Sequence, residues 1–250
     1  MALKLDLVAP GVHRVSSLYT NWYLLEEGGR LTVLDAGLPG DWRQFSSHLT
    51  RLGYSLDDID AILITHHHLD HAGNAERLRS HGARVFAHAE DADSLRGDRQ
   101  VSVLSRLPYL RRPWYAQYMM RIFIKGVTRA APVTDISLMS DGDVLDVPGR
   151  PRVLHVPGHT AGSCALFKED RSVLFTGDAL VTQDVARGRL EGPQVVLGPD
   201  TEDAKLAFQS LDALAATKAE TVLPGHGEPW DQGVETAVQA ARLNLDTWHR

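Results

Sequence analysis

The chain has 250 residues, a formal charge of −6, 43% hydrophobic and 23% charged residues, and one cysteine, Cys164. That length can bury a sizeable core in one α/β domain or two small ones, and the composition is that of an ordinary globular protein. An internal disulfide is excluded, and the overall acidity gives no general pull toward nucleic acid or anionic membranes.

At the N-terminus, MALKLDLVAPGVHRV has no continuous apolar core and no small-residue cleavage pattern, so no signal peptide is expected. No apolar run approaches the roughly 20 residues needed to cross a bilayer, and a cytoplasmic location is the default expectation. Strands are expected at NWYLLEE (21–27) and RLTVLDAG (30–37), then a helix over 41–53 and a strand at AILITH (61–66). A helix over 71–81 and a strand at ARVFAH (83–88) follow. The second half reads as strands RVLHVPGH (152–159), CALFKE (164–169) and SVLFTGD (172–178), a helix over 202–217, a strand TVLPGHG (221–227) and a helix over 231–248. That last helix carries Trp248 and several aliphatics suited to docking on the fold. No repeat of solenoid period, low-complexity tract or linker-like break appears, so a single domain over 1–250 is the economical reading.

Residues 89–132 depart from this pattern. From Arg96 to Arg129 the cations are Arg96, Arg99, Arg106, Arg111, Arg112, Arg121, Lys125 and Arg129, against Asp98 alone. The same stretch contains LPYLRRPWYAQYMMRIFIKG, rich in aromatic and methionine residues. It is expected to be a helical insertion laid over the strand framework.

The densest chemistry lies in LITHHHLDHAGN (63–74). Extended positions i and i+2 point the same way, so His66 and His68 can aim two imidazoles at one point. Asp70 and His71 follow as the chain turns into a helix and can face a neighbouring point. Imidazole with carboxylate suits zinc, iron or manganese, whereas a structural zinc more often recruits thiolates. A solvated histidine-rich loop is the alternative. Three further strand ends weigh against it: His159 in RVLHVPGHTAGS, Asp178 in SVLFTGDA and His226 in TVLPGHGEP each sit at the end of an apolar run beside a glycine.

As a set, THHHLDHAG, PGHTAGS, TGD and PGHG resemble the metallo-β-lactamase superfamily, from roughly Asn21 to Trp230 apart from the 89–132 insertion. The resemblance implies an αββα sandwich, two mixed sheets flanked by helices, with a dinuclear site along one edge. It implies that His66, His68 and His159 hold one metal, that Asp70, His71 and His226 hold a second, and that Asp178 bridges them. Asp35 in VLDAG matches the family's supporting aspartate, and His67 has no ligand role in the pattern. Two divalent ions, zinc first with iron or manganese as alternatives, would share a water and ionise it near neutral pH. Asp70 would orient that nucleophile and receive its proton, and no GxSxG motif offers a serine in its place.

Hydrolysis of a small-molecule ester, thioester or lactone is therefore expected. Resemblance also implies that true β-lactamases of this fold carry another residue at the place of Asp178, which disfavours antibiotic degradation. The motifs look closest to glyoxalase II and the lactone-hydrolysing branch, yet ALVTQDVARGRLEG stands where glyoxalase II has a GCGRFFEG-like segment. Tyr109, Trp114, Tyr115 and Tyr118 are candidates for a substrate lid with an apolar wall, and one tyrosine could donate to the developing oxyanion as in lactonases of this fold. Packing onto the sandwich or a homodimer contact is the other role open to this insertion. A phosphodiesterase or nuclease using the insertion's arginines is the second enzymatic reading, with no nucleic-acid partner expected from the acidic chain. A non-catalytic metal-binding scaffold is the third.

Overall fold

The computed structural model describes residues 4–98, 104–184 and 192–244. Two mixed β-sheets stack face to face with helices on both outer sides. The first sheet runs in sequence order: β1 (Lys4–Ala9), β2 (Val12–Ser17), β3 (Thr20–Glu27), β4 (Arg30–Leu34), β5 (Ile59–Leu63), β6 (Arg84–His88) and β7 (Ser137–Met139). Pairing is antiparallel from β1 to β4 and parallel from β4 to β7. The second sheet comprises β8 (Arg152–His155), β9 (Cys164–Lys168), β10 (Val173–Gly177) and β11 (Thr221–Pro224), in the order β11-β10-β9-β8. Only β10 and β11 are parallel there.

The strands are apolar on both faces because each face meets a different layer. Along β3, Trp22 and Leu24 point to the outer helices, while Tyr23 and Leu25 point between the sheets. On β10, Leu174 faces outward and Phe175 inward. The inter-sheet core closes where Phe175 meets Tyr23 edge-on, centroids 5.2 Å apart. The Tyr23 hydroxyl then donates to the carbonyl of Pro224 across the sheets at 2.7 Å.

The outer layers are α1 (Trp42–Arg51), α2 (Leu69–Ala72), α3 (Ala75–Arg79) and α4 (Ala89–Leu95) on the first sheet, and α6 (Ala204–Ala216) and α7 (Val234–Leu243) on the second, with α5 (Pro113–Ile124) in the insertion. No helix among the described residues is long and apolar enough to cross a membrane.

Several elements differ from the sequence expectation. The strands β1, β2 and β7 add to those read from the apolar runs: β1 is exposed at the edge and β7 has three residues, so neither carries a strong pattern. The helix expected over 71–81 is split into α2 and α3, because the side chain of Asn74 leaves the helical path to donate to the carbonyls of Ala36 and Leu38 at 2.9 and 2.7 Å. The first helix starts one residue later than expected, after a 3₁₀ turn at Pro39–Asp41. Within 89–132, α4 packs Ala92 and Leu95 into the first sheet's outer core, whereas Tyr115 and Tyr118 of α5 form a cluster of their own. Helix α7 covers part of 231–248, and the expectation that Trp248 docks on the fold lies outside the described residues.

Replacing Phe175 with alanine removes a ring that is 1% exposed and should cost roughly 3–5 kcal/mol. Urea unfolding would read this as a lowered midpoint with an unchanged slope; a loss below about 1 kcal/mol would place the main core elsewhere.

Candidate metal centre

Five strand ends deliver polar groups to one rim of the sandwich: Asp35 after β4, His66 to His71 after β5, His159 after β8, Asp178 after β10 and His226 after β11. The two sheets are stitched together at this rim. Cys164 donates from its backbone N–H to the carbonyl of Thr65 (2.9 Å) and Asn21 to that of Gly225 (2.6 Å), while Gly225 donates to Gly177 (2.8 Å) within the second sheet. Gly225 is required by closeness, since a Cβ there would lie 2.3 Å from Asp178 Oδ1 and 2.8 Å from His71 Cε1.

The seven donors come together in three overlapping groups whose ligand atoms all lie within 4.8 Å of one another: His66, His68 and His159; His66, His71 and Asp178; Asp70, His71 and His226. In the first, Nδ1 of His68 is 3.1 Å from Nε2 of His66 and 3.0 Å from Nε2 of His159. Their rings meet nearly at right angles. Nitrogens bound tetrahedrally at zinc-like lengths sit about 3.3 Å apart, so this spacing matches a shared cation. In the third group Nε2 of His71 and His226 are 3.5 Å apart, and Asp70 Oδ2 is 3.8 and 3.7 Å from them. Asp178 stands between: Oδ2 is 3.0 Å from His226 and 3.5 Å from His159, and Oδ1 is 3.4 Å from His71. Its Oδ1 is buried without a hydrogen-bond partner, as expected of an atom reserved for a metal.

Which nitrogen faces inward is set by what the other one touches. His71 Nδ1 meets Asp35 Oδ2 at 2.8 Å, and His226 Nδ1 donates to the carbonyl of Tyr19 at 2.6 Å. His159 Nδ1 donates to Thr201 Oγ1 (3.1 Å), whose own proton goes to the carbonyl of Val196. His66 Nδ1 donates to Thr65 Oγ1 (3.0 Å), which in turn donates to Asp35. Four rings thereby turn Nε2 toward the centre. Asp35 does this from a left-handed backbone, φ +62°, where a non-glycine residue is uncommon and its carboxylate over-determines the turn.

The charge pattern divides the rim. Burial works against the charge of His71, but Asp178, Asp35 and Asp70 outweigh it and hold the ring up to about 10. Burial, with help from neighbouring imidazoles, lowers His68 to about 4 and His159 to about 3. Burial also opposes ionisation of Asp178, yet His226 and His71 hold it far below the usual carboxylate range. The His66, His68 and His159 point thus offers neutral lone pairs, and its neighbour is rich in carboxylate.

The insertion supplies one residue directly. Tyr118 donates to Asp70 Oδ2 at 3.2 Å, beside Thr20 Oγ1 at 3.1 Å. Burial, reinforced by Asp70 and Asp200, holds that phenol protonated well above its ordinary value. Tyr115 is fully buried one layer back and donates to Asp200 at 3.4 Å, Tyr109 rests 5.8 Å from Tyr115, and Trp114 packs 5.4 Å from Tyr19.

Sequence reading passed over Thr20, Thr201, the Tyr19 carbonyl and, above all, Asp91. This carboxylate, 2% exposed on α4, accepts from His67 N–H (2.8 Å), Thr160 Oγ1 (2.8 Å) and Gly162 N–H (2.9 Å), and lies 3.2 Å from His67 Nδ1. It clamps the loop of His66 to His71 against the loop of His159. Gly162 is glycine because a Cβ would fall 2.7 Å from Asp91. In AHAED the residue reads only as an acid in a helix's first turn, so no local signal marks it. His67 points to this clamp, away from the seven donors.

A family profile described as the metallo-beta-lactamase superfamily matches residues 16–226. The chain belongs to that superfamily. It is a metal-dependent hydrolase, and relatives carry hydrolase names. It is 28% identical over 244 residues to the probable metallo-hydrolase YflN of Bacillus subtilis, covering 88% of this chain and 85% of that one. The acyl-coenzyme A thioesterase MBLAC2 of Gallus gallus is 30% identical over 222 residues, 82% of this chain and 72% of that one. A hydroxyacylglutathione hydrolase of Cereibacter sphaeroides is 32% identical over 192 residues, which is 76% of this chain but 55% of the relative. Among solved structures, a metallo-beta-lactamase family protein of Thermus thermophilus superposes with a TM-score of 0.69 at 30% identity, covering 96% of this chain and 82% of that one.

Two outcomes follow for this superfamily member. Asp91→Ala strands three buried donors, so it should cost roughly 2–4 kcal/mol and weaken metal binding by about 10–100-fold in the protein that remains folded. Unchanged affinity by titration calorimetry would reduce Asp91 to a packing residue. In chelated protein, the raised His71 stabilises fully below about pH 6.5 and loses that contribution as pH climbs toward about 10. His68 and His159 act oppositely: their contribution is present above about pH 6.5 and falls as they are forced to protonate toward about 4 and about 3. The urea midpoint should therefore decline on both sides of neutrality; a ring-nitrogen NMR signal of His71 titrating below pH 7 would contradict it.

Proposed function

We propose that this hydrolase holds two divalent metal ions and cleaves an ester, thioester or lactone whose acyl part is hydrophobic. The observation that carries the reading is the convergence of seven donors, five of them buried, beside a tyrosine-lined insertion. His66, His68 and His159 would hold one ion, Asp70, His71 and His226 the other, with Asp178 between them. Zinc is the first ion to test, and iron and manganese suit the same donors. When bound, such a pair supplies Lewis acidity and water ionised near neutral pH.

The chain's own groups divide the remaining work. Asp70, held through Oδ2 by Thr20 and Tyr118, keeps a carboxylate at the rim to orient the attacking water and take its proton. Tyr118, protonated throughout the physiological range, can turn its one hydrogen bond from Asp70 to the oxyanion that develops on the substrate carbonyl, leaving Thr20 on Asp70. Tyr109 and Trp114, with Tyr115 packed behind them, would wall the approach with rings, excluding water and favouring an apolar acyl group. A thioester heads the list because two relatives are named for thioester hydrolysis. Of the insertion's cations nearest the rim, Arg121 donates to the Tyr19 hydroxyl and Lys125 pairs with Asp41, which weighs against the phosphodiesterase alternative.

The test is a panel of ester, thioester, lactone and phosphodiester substrates run after chelation and after resupply of zinc, manganese or iron. Carbonyl substrates should be turned over only with metal. Tyr118→Phe should lower kcat by roughly 10²-fold with metal content intact, and Trp114→Ala should change acyl chain-length preference. Turnover of a bis-aryl phosphate alone, or equal rates for short and long acyl chains, would overturn the reading.

A further inference from the structure

Helix α5 has two faces with different fates. Its inner face is tied down at helical spacing: Tyr118 to Asp70, Arg121 to Tyr19, and Lys125 just beyond its end to Asp41 at 2.5 Å. A backbone bond from Gly40 N–H to the carbonyl of Lys125 adds to the tether. Its outer face presents Met120, Phe123 and Ile124 at i, i+3 and i+4, exposed by 59%, 61% and 68%. The preceding 3₁₀ turn adds Leu107 and Leu110. These five are half of the large exposed hydrophobics among the described residues, gathered within eighteen positions. Exposed apolar clusters of this kind mark interaction surfaces.

The charge around the stripe indicates its partner. No acidic residue occurs from Arg99 to Thr134, and Arg111, Arg112 and Arg129 at the two ends of α5 are exposed. In a chain of net charge −6, this segment is the reverse of its surroundings. A second copy fits poorly: a two-fold contact along α5 would set cations against cations in either helix direction, with no carboxylate between them. An anionic lipid surface satisfies both features, taking the apolar stripe at the acyl boundary and the arginines at the headgroups. The acidic remainder of the protein would be repelled, which orients α5 toward the lipid.

We propose that the outer face of α5, with Leu107 and Leu110, docks on an anionic phospholipid surface. Docking there sets the catalytic rim, on the other side of the same helix, next to a reservoir of acyl compounds. The surface does not depend on which bond is cleaved, although its use for acyl substrates rests on the function proposed above.

The metal-loaded protein should float with vesicles of phosphatidylcholine containing phosphatidylglycerol, float far less with phosphatidylcholine alone, and lose binding as salt rises. Phe123→Ser combined with Ile124→Ser should lower partitioning by about tenfold or more. Arg111→Gln combined with Arg112→Gln should narrow the difference between the two vesicle types. Neither pair should change hydrolysis of a short, water-soluble substrate. Absence of flotation, flotation indifferent to both pairs, or a dimer in sedimentation that Phe123→Ser with Ile124→Ser dissolves would each overturn the proposal. Flotation without any carbonyl hydrolysis would instead overturn the proposed chemistry and leave the docking surface standing.

Discussion

Three carboxylates and five imidazoles packed into one dry rim make an electrostatic problem that the rest of this structure is arranged to contain. Ring nitrogens of His66, His68 and His159 crowd to 3.0–3.1 Å, and carboxylates taken out of water lose solvation that positive charge restores. His71 and His226 supply part of that charge through protons, and a pair of cations would supply the whole of it. Charged pairs among the donors hold part of the rim, as His226 Nε2 does with Asp178 Oδ2 at 3.0 Å. The rest of the order comes from behind, where Asp35, Thr65, Thr201 and the Tyr19 carbonyl fix four of the five rings by their far nitrogens.

Asp35 and Asp91 share this labour on different sides. Asp35 joins Thr65 to His71 and so spans the loop after β5 from within, whereas Asp91 joins that loop to the one carrying His159. One sits in a left-handed turn at the end of a strand, the other in the first turn of a helix. Their common property is burial with several donors converging on the same carboxylate, which holds each one stiffly in place. The rim is thus held by chain segments from both sheets, and the inter-sheet contact between Tyr23 and Phe175 bears on the site as much as on the core.

The insertion is part of this arrangement. Through Tyr118 it reaches the carboxylate of Asp70, and through Arg121 it reaches Tyr19, whose carbonyl orients His226. Helix α5 is therefore fastened to the site on one side and exposed on the other.

Much of this protein is legible from its sequence for a simple reason. Strands buried on both faces are written as apolar runs, and a rim site must place its donors where those runs end; THHHLDHAG, PGHT, TGD and PGHG each follow that rule. The edge strands β1 and β7 escape because exposure or brevity erases the pattern, and the break between α2 and α3 escapes because it depends on Asn74 finding carbonyls thirty-six and thirty-eight residues away. Residue types and their order thus determined the sandwich, the family and which seven groups meet at the rim. Which nitrogen of each imidazole faces inward, which tyrosine meets Asp70, and that Asp91 clamps two loops were decided only by tertiary structure. Hydrogen bonds between residues distant in the chain leave no periodicity behind them, and a buried aspartate spells the same as an exposed one.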